Sequence, residues 1–200
     1  MSSCHLSLAK PEFYSQNFRV DAPETLPEKI ITPRRLGCII VNGAAESSAA
    51  LLGRTFTAPE EGAPALPVER VLVPASFGLV PSWVKSASDG RLRALKLVTA
   101  KIDSLTTGTA FRDAWLAGQR CIVPLQSFQV DDVRSGKPVP TRITRVDNNP
   151  MGAAGVWARW VGEDGEIITS YAIITVNANA HALMNRYGHA GNDKAMPAIL

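Results

Sequence analysis

The sequence predicts an α+β fold with a β-rich, barrel-like core, built as a single domain over its 200 residues. Three observations carry that expectation. Short apolar runs rich in β-branched residues recur along the chain, each ended by Gly, Pro or charged residues, which is how strands read. Two of the longest runs flank Gly162-Glu163-Asp164-Gly165, a strong hairpin signal. Helical patterns are few and short, so most strands must join antiparallel to one another.

The elements follow in order. Pro11–Phe18 is a weak helical candidate, followed by a proline-punctuated extended stretch. Leu36–Val41 is a short apolar run and reads as a strand. Glu46–Pro67 reads as a loop, because it holds Glu60-Glu61-Gly62 and the prolines Pro59, Pro64 and Pro67. Val68–Ala75 is a second strand. In Ala110–Gly118, Phe111, Ala114 and Trp115 fall at i, i+3 and i+4, one apolar stripe on a helix. Gly118 sits near its C-cap. Cys121–Val130 is a strand, Asp131–Lys137 a charged turn, and Pro140–Val146 alternates polar and apolar residues as a half-buried strand. Ala153–Val161 and Glu166–Val176 are the arms of the hairpin. Ala178–Tyr187 has a helical pattern.

The composition, 46% hydrophobic and 20% charged, is that of a soluble globular chain. No run approaches the roughly 18 apolar residues of a membrane helix, and the N-terminus lacks a signal-peptide core. A cytoplasmic monomer without a membrane partner is the expectation. The net charge of +3 permits a polyanion partner without demanding one. Cys4, Cys38 and Cys121 are widely spaced with no C-x-x-C pair, so neither a metal site nor a disulfide is expected. Cys38 and Cys121 lie in apolar runs and read as buried thiols. Cys4 is set apart by lying almost at the terminus.

Two segments are not explained by core building. Phe77-Gly78-Leu79-Val80-Pro81-Ser82-Trp83 breaks an apolar run with Gly and Pro and closes on a Trp. Phe111-Arg112-Asp113-Ala114-Trp115 is an amphipathic helix that runs into Arg120-Cys121-Ile122-Val123-Pro124. Ala154–Trp160, Ile173-Ile174-Thr175 with Ala178-Asn179, and Met196–Leu200 complete an ordered set of five. In order and spacing these resemble the motifs of the SRAP family, proteins that process abasic sites in single-stranded DNA. The likeness runs from about Pro33 to Leu200, and the chain ends short of the C-terminal region the resemblance leads one to expect.

The resemblance implies a mechanism and places it on residues. The family closes a thiazolidine on the aldehyde of an abasic sugar, using the α-amine and thiol of a cysteine behind the initiator Met. Here position 2 is Ser and the nearest thiol is Cys4. An N-terminal Ser2 amine would still be partly neutral at pH 7. The family's N-A-R-x-E segment matches Thr99-Ala100-Lys101-Ile102-Asp103, so Thr99 stands for the Asn and Lys101 for the phosphate-binding Arg. Lys101 keeps the charge without the bidentate fork. The family's catalytic Glu is matched to Gln129, which can orient a hydroxyl but cannot take a proton near neutral pH. The family's His falls at Gly188, with His189 beside it; His181 and His5 are weaker candidates. The catalytic set implied is Cys4, Thr99, Gln129 and His189, with no cofactor. Trp83, Lys101 and Arg112 are implied as the DNA-binding set, and the partner implied is single-stranded DNA with abasic sites.

Three functions remain open at this level. One is a covalent abasic-site processing enzyme. Another is a non-catalytic family member that binds single strands through aromatic stacking and a basic groove. The last is a Cys/His hydrolase unrelated to DNA, which lacks any local signature around Cys4.

Overall fold

Alternation along the two longest apolar runs produces the centre of the molecule. The computed structural model describes residues 6–23, 29–58, 68–187 and 193–200. Its strands are β1 (Leu6–Leu8), β2 (Ile30–Ile31), β3 (Leu36–Asn42), β4 (Arg70–Phe77), β5 (Thr99–Lys101), β6 (Arg120–Asp132), β7 (Val139–Ile143), β8 (Met151–Val161), β9 (Ile167–Asn177) and β10 (Ala195–Pro197). Helices α1 (Pro11–Phe13), α2 (Glu46–Ala49), α3 (Ala87–Ala94) and α4 (Arg112–Leu116) are short. A π turn, Tyr14–Phe18, continues α1, and 3-10 turns cover Ile102–Ser104 and Met184–Arg186.

β8 and β9 form the predicted hairpin, paired from Val161↔Ile167 to Gly155↔Ile173. The ring closes as β9–β4–β3–β6–β8–β9, a five-stranded barrel. Its β4–β9 contact is parallel and short, Ser76↔Ser170 and Phe77↔Tyr171. β5 adds to β9 in parallel and β10 adds to it antiparallel. The far half of β6 carries β1 and β7.

Both faces of β8 and β9 are covered, which is why their sequences read as near-continuous apolar runs. Ala153, Trp157, Tyr171 and Ile173 point into the main core with Tyr14, Ile39 and Phe77. Their neighbours Val156, Ala158, Ala172 and Ile174 pack outward with Leu79, Phe111 and Ala114 of the α4 side. Trp160 joins Val80, Val84 and Ala94 in a third cluster, its indole N–H donating to the Val84 carbonyl.

The structure bears out the strand-rich reading and shifts some elements. β7 starts one residue earlier and ends at Ile143, and β6 extends through Asp132. The loop reading of Glu46–Pro67 misses α2 at its start. α3 was not foreseen: only Gly90 and Ala94 of its residues are buried, so it carries no apolar stripe to read. The expected helix over Ala178–Tyr187 is instead a series of turns with one 3-10 turn. There Asn177 Oδ1 accepts from the Asn179 N–H (2.8 Å), and His181 Nδ1 accepts from the Leu183 and Met184 N–H groups (3.3 and 3.1 Å). Side chains that bind local amides offer the backbone an alternative to a helix. Cys38 and Cys121 are buried free thiols, as read. Among the described residues no helix is long and apolar enough to cross a membrane.

Candidate functional site

The residues singled out by sequence fall at three places. The first is the meeting of β1 with β6. Leu6 pairs with Phe128 and Ser7 with Ser127 before the register shifts at Leu8. Leu6 is 1% exposed, so β1 is anchored by burial as well as by its ladder. A cavity of about 130 Å³ lies here, lined by Leu6, Ile30, Phe128, Gln129 and Arg142 among others. Gln129 is half-buried and sits directly opposite Arg142 of β7. Neither side chain has a polar partner among the described residues. Arg142 was not foreseen as a neighbour of Gln129. Its strand was read, but the register that brings the two together is set by pairing across β6 and β7, which no local pattern reports.

The second place is β5. Thr99 is half-buried opposite Ile173, and Lys101 is exposed at the strand's end. Ser104 Oγ donates to the Lys101 carbonyl (3.1 Å), closing the 3-10 turn that follows. β5 pairs with β9, whereas Gln129 lies on the part of β6 that pairs with β1 and β7. No ladder joins Thr99 to Gln129.

The third place is the rim around Trp83, and Gly78 is what forms it. After β4 the chain passes through φ +104 at Gly78, where a Cβ would meet the Ala94 carbonyl oxygen at 2.2 Å. Only glycine takes that turn against α3. Three successive N–H groups are spoken for: Gly78 to the Tyr171 carbonyl (2.8 Å), Leu79 to the Leu97 carbonyl (2.9 Å), and Val80 to the buried Ser170 Oγ (2.8 Å). The segment therefore leaves β4 on a fixed course. Trp83 ends it 45% exposed. Its indole N–H donates to the Thr109 carbonyl (3.0 Å), and the Arg93 guanidinium lies 5.0 Å from the ring centroid. The ring is thus exposed and held, a low-entropy aromatic surface. Arg112 is exposed on α4, close in sequence to Thr109, with no polar partner among the described residues. Trp115 is half-buried and carries Arg120 over its ring at 4.4 Å.

Cys4 and His189 lie outside the described residues. The chain on either side of His189 is tied together: Lys194 N–H donates to Asn179 Oδ1 (2.8 Å), and Ala178 N–H to the Lys194 carbonyl (2.9 Å). The two described cysteines are poor nucleophiles. Burial raises the Cys38 thiol from the ordinary 9.0 to about 11, against a smaller opposing effect of the Tyr14 hydroxyl 3.2 Å away. Burial alone pushes Cys121 higher still. A thiol that stays protonated does not attack.

Comparison with known proteins places these features. The sequence profile of a family described as SOS response associated peptidase (SRAP) matches residues 9–190. The abasic site processing protein YoqW of Bacillus subtilis is 29% identical over 104 residues, 52% of this chain and 44% of that protein. The abasic site processing protein HMCES of Gallus gallus is 27% identical over 151 residues, 66% of this chain and 43% of that protein. The chain thus spans less than half the length of these curated relatives. A crystal structure of a Bordetella bronchiseptica protein superposes with a TM-score of 0.75 at 29% identity, covering 99% of this chain and 83% of that one. The five ordered motifs, the barrel that holds them and a profile match across most of the sequence agree, and the chain belongs to the SRAP family.

Proposed function

We propose that this chain is an abasic-site processing protein that binds single-stranded DNA as a cytoplasmic monomer and links covalently to the lesion through its N-terminal segment. The observation that carries the reading is the anchoring of β1 beside Gln129. Cys4 stands two residues ahead of Leu6, and Leu6 is locked opposite Phe128 next to that cavity. The names of the YoqW and HMCES relatives supply the substrate.

The chemistry follows from the groups. A ring-opened abasic sugar carries an aldehyde. If processing after Ser3 leaves Cys4 at the N-terminus, its α-amine condenses with that aldehyde and releases one water. The thiolate then adds to the imine carbon and the nitrogen takes a proton, which closes a thiazolidine. An N-terminal Ser2 forms an imine and an oxazolidine less persistent than a thiazolidine, and an internal Cys4 only a reversible hemithioacetal. Thr99, Gln129 and His189 are the residues assigned to positioning and proton movement. Trp83 offers stacking, and Lys101 and Arg112 offer charge to phosphates.

A second reading has its own observation. Gln129 replaces a carboxylate, and it has no polar partner among the described residues that would make it a proton carrier. That favours a member that binds single strands without reacting. Mixing mature protein with abasic and intact single strands separates the two. A gel-stable adduct mapping to residues 1–4 supports the enzyme, and binding alone supports the second reading. A full-strength adduct from a protein with both Cys4→Ala and Ser2→Ala would refute the N-terminal mechanism.

A further inference from the structure

Beside Trp83 the surface opens into a cavity of about 200 Å³ between the Gly78–Trp83 segment, α4 and β8. This is far more room than a trapped water needs. Its floor is apolar, formed by the buried residues Leu79, Ala114 and Ala158. Trp83 and Thr109 form one side, joined by the indole hydrogen bond that fixes the ring. Three polar side chains also line it: Asp113, Gln119 and Arg159. None of the three makes a side-chain hydrogen bond or ion pair among the described residues. Elsewhere on this surface several neighbouring opposite charges do pair, as in Arg93–Asp89, Arg134–Asp132 and Arg145–Asp147. Around this cavity, Asp113 and Arg159 bring opposite charges to one lining without pairing with each other.

We propose that the cavity is a base pocket selective for guanine. The proposal rests on the reading of this chain as a single-strand binder and adds a base preference to it. A carboxylate has only acceptors and a guanidinium only donors. A ligand that satisfies both presents donors and acceptors on one rigid frame, and an aromatic wall over an alanine floor asks for that frame to be flat. Guanine offers two adjacent donors, N1–H and the N2 amino group, which match the two oxygens of Asp113. It also offers two adjacent acceptors, O6 and N7, which suit the fork of Arg159. Cytosine and adenine bring a single amino group to the carboxylate, and thymine a single N–H. Gln119, with one donor group and one acceptor, takes whichever edge is left.

The test uses the full chain and the four 2′-deoxynucleoside 5′-monophosphates as probes. Binding is followed by NMR at the Trp83 indole N–H and the Ala114 and Ala158 methyl groups. The deoxyguanosine nucleotide should shift these signals with at least about tenfold higher affinity than the other three. Asp113→Asn should erase the preference while the rest of the spectrum stays folded, and Arg159→Gln should weaken it. Equal responses to the four nucleotides, or no shift with the guanine nucleotide at its solubility limit, overturn the proposal. A parallel series of single strands carries a stable abasic-site analogue with guanine placed at each neighbouring position in turn. Strands bound equally wherever guanine stands would remove the base pocket and leave single-strand binding intact. Strands not bound at all would remove the single-strand reading, and the nucleotide titration would still decide the pocket.

Discussion

Gly78 decides where Trp83 stands. Its left-handed φ and its approach to Ala94 leave no space for a side chain. Gly78→Ala should therefore cost about 2 kcal/mol or more, read as a lowered urea midpoint, and should loosen the Trp83–Thr109 bond in the survivors. A variant as stable as the parent would mean that the turn relaxes without strain. Cys38 gives a pH test. Its folded pKa of about 11 lies above the ordinary 9.0, so between those values the fold holds a proton that the unfolded chain releases. Stability is then fully present below pH 9 and falls as pH rises toward 11, by up to about 1.4 kcal/mol per unit for this group. Tyr14 and Cys121, also raised by burial, act in the same direction. Urea midpoints that stay flat from pH 8 to 11 would contradict the burial argument. The burial of Cys38 and Cys121 was legible from their apolar neighbours. The pinning of Trp83 was not, because Thr109 lies 26 residues away along the chain.

At the scale of elements, the strands were legible and the helices less so. A strand covered on both faces writes an unbroken apolar run, and β8 and β9 did so. α3 writes none, since it packs through Gly90 and Ala94 and leaves Leu92 65% exposed. Its one local signal is Ser86, three residues before Asp89: the Ser86 side chain accepts from the Asp89 N–H at 3.3 Å. That is an N-cap, but no apolar stripe follows it to mark a helix. α3 carries Arg93 over the Trp83 ring, so the cap reaches the rim. Ser86→Ala should cost about 1 kcal/mol and weaken single-strand binding a few-fold by freeing Arg93 and Trp83 together. Destabilisation with unchanged binding would show that the rim does not depend on α3. The expected 178–187 helix failed for the opposite reason. Its pattern was apolar enough, but Asn177 and His181 take up the amides of Asn179, Leu183 and Met184.

For the whole molecule, the net charge of +3 is too small to hold a polyanion by bulk attraction, so the proposed single-strand binding would rest on a few placed cations. Lys101 is exposed at the end of β5, its side chain without a polar partner among the described residues. Lys101→Ala should weaken single-strand binding evenly across sequences and lower the salt slope by about one unit or less. A change confined to certain sequences would assign Lys101 to a base instead of a phosphate. The order of strands in the barrel, unlike the strands themselves, was beyond the sequence. The pairings that close it join residues about 90 positions apart, such as Ser76 with Ser170.

That distance has a consequence in time. β4, which launches the Trp83 segment, and β5, which carries Thr99 and Lys101, both find their parallel partner only in β9. Contacts so far apart in the chain form late, after the loop between them has been closed. During synthesis β4 can pair with β3 early, but residues of β9 must emerge before β4 gains its second neighbour or β5 gains its partner. Until then the nascent chain carries Trp83 on a segment without its Tyr171 and Ser170 hydrogen bonds, and Lys101 on an unpaired strand. The proposed single-strand affinity would thus be withheld until translation is nearly over, and a chain interrupted inside the β8–β9 hairpin leaves a fragment that has the residues of the rim without the β9 contacts that set its course.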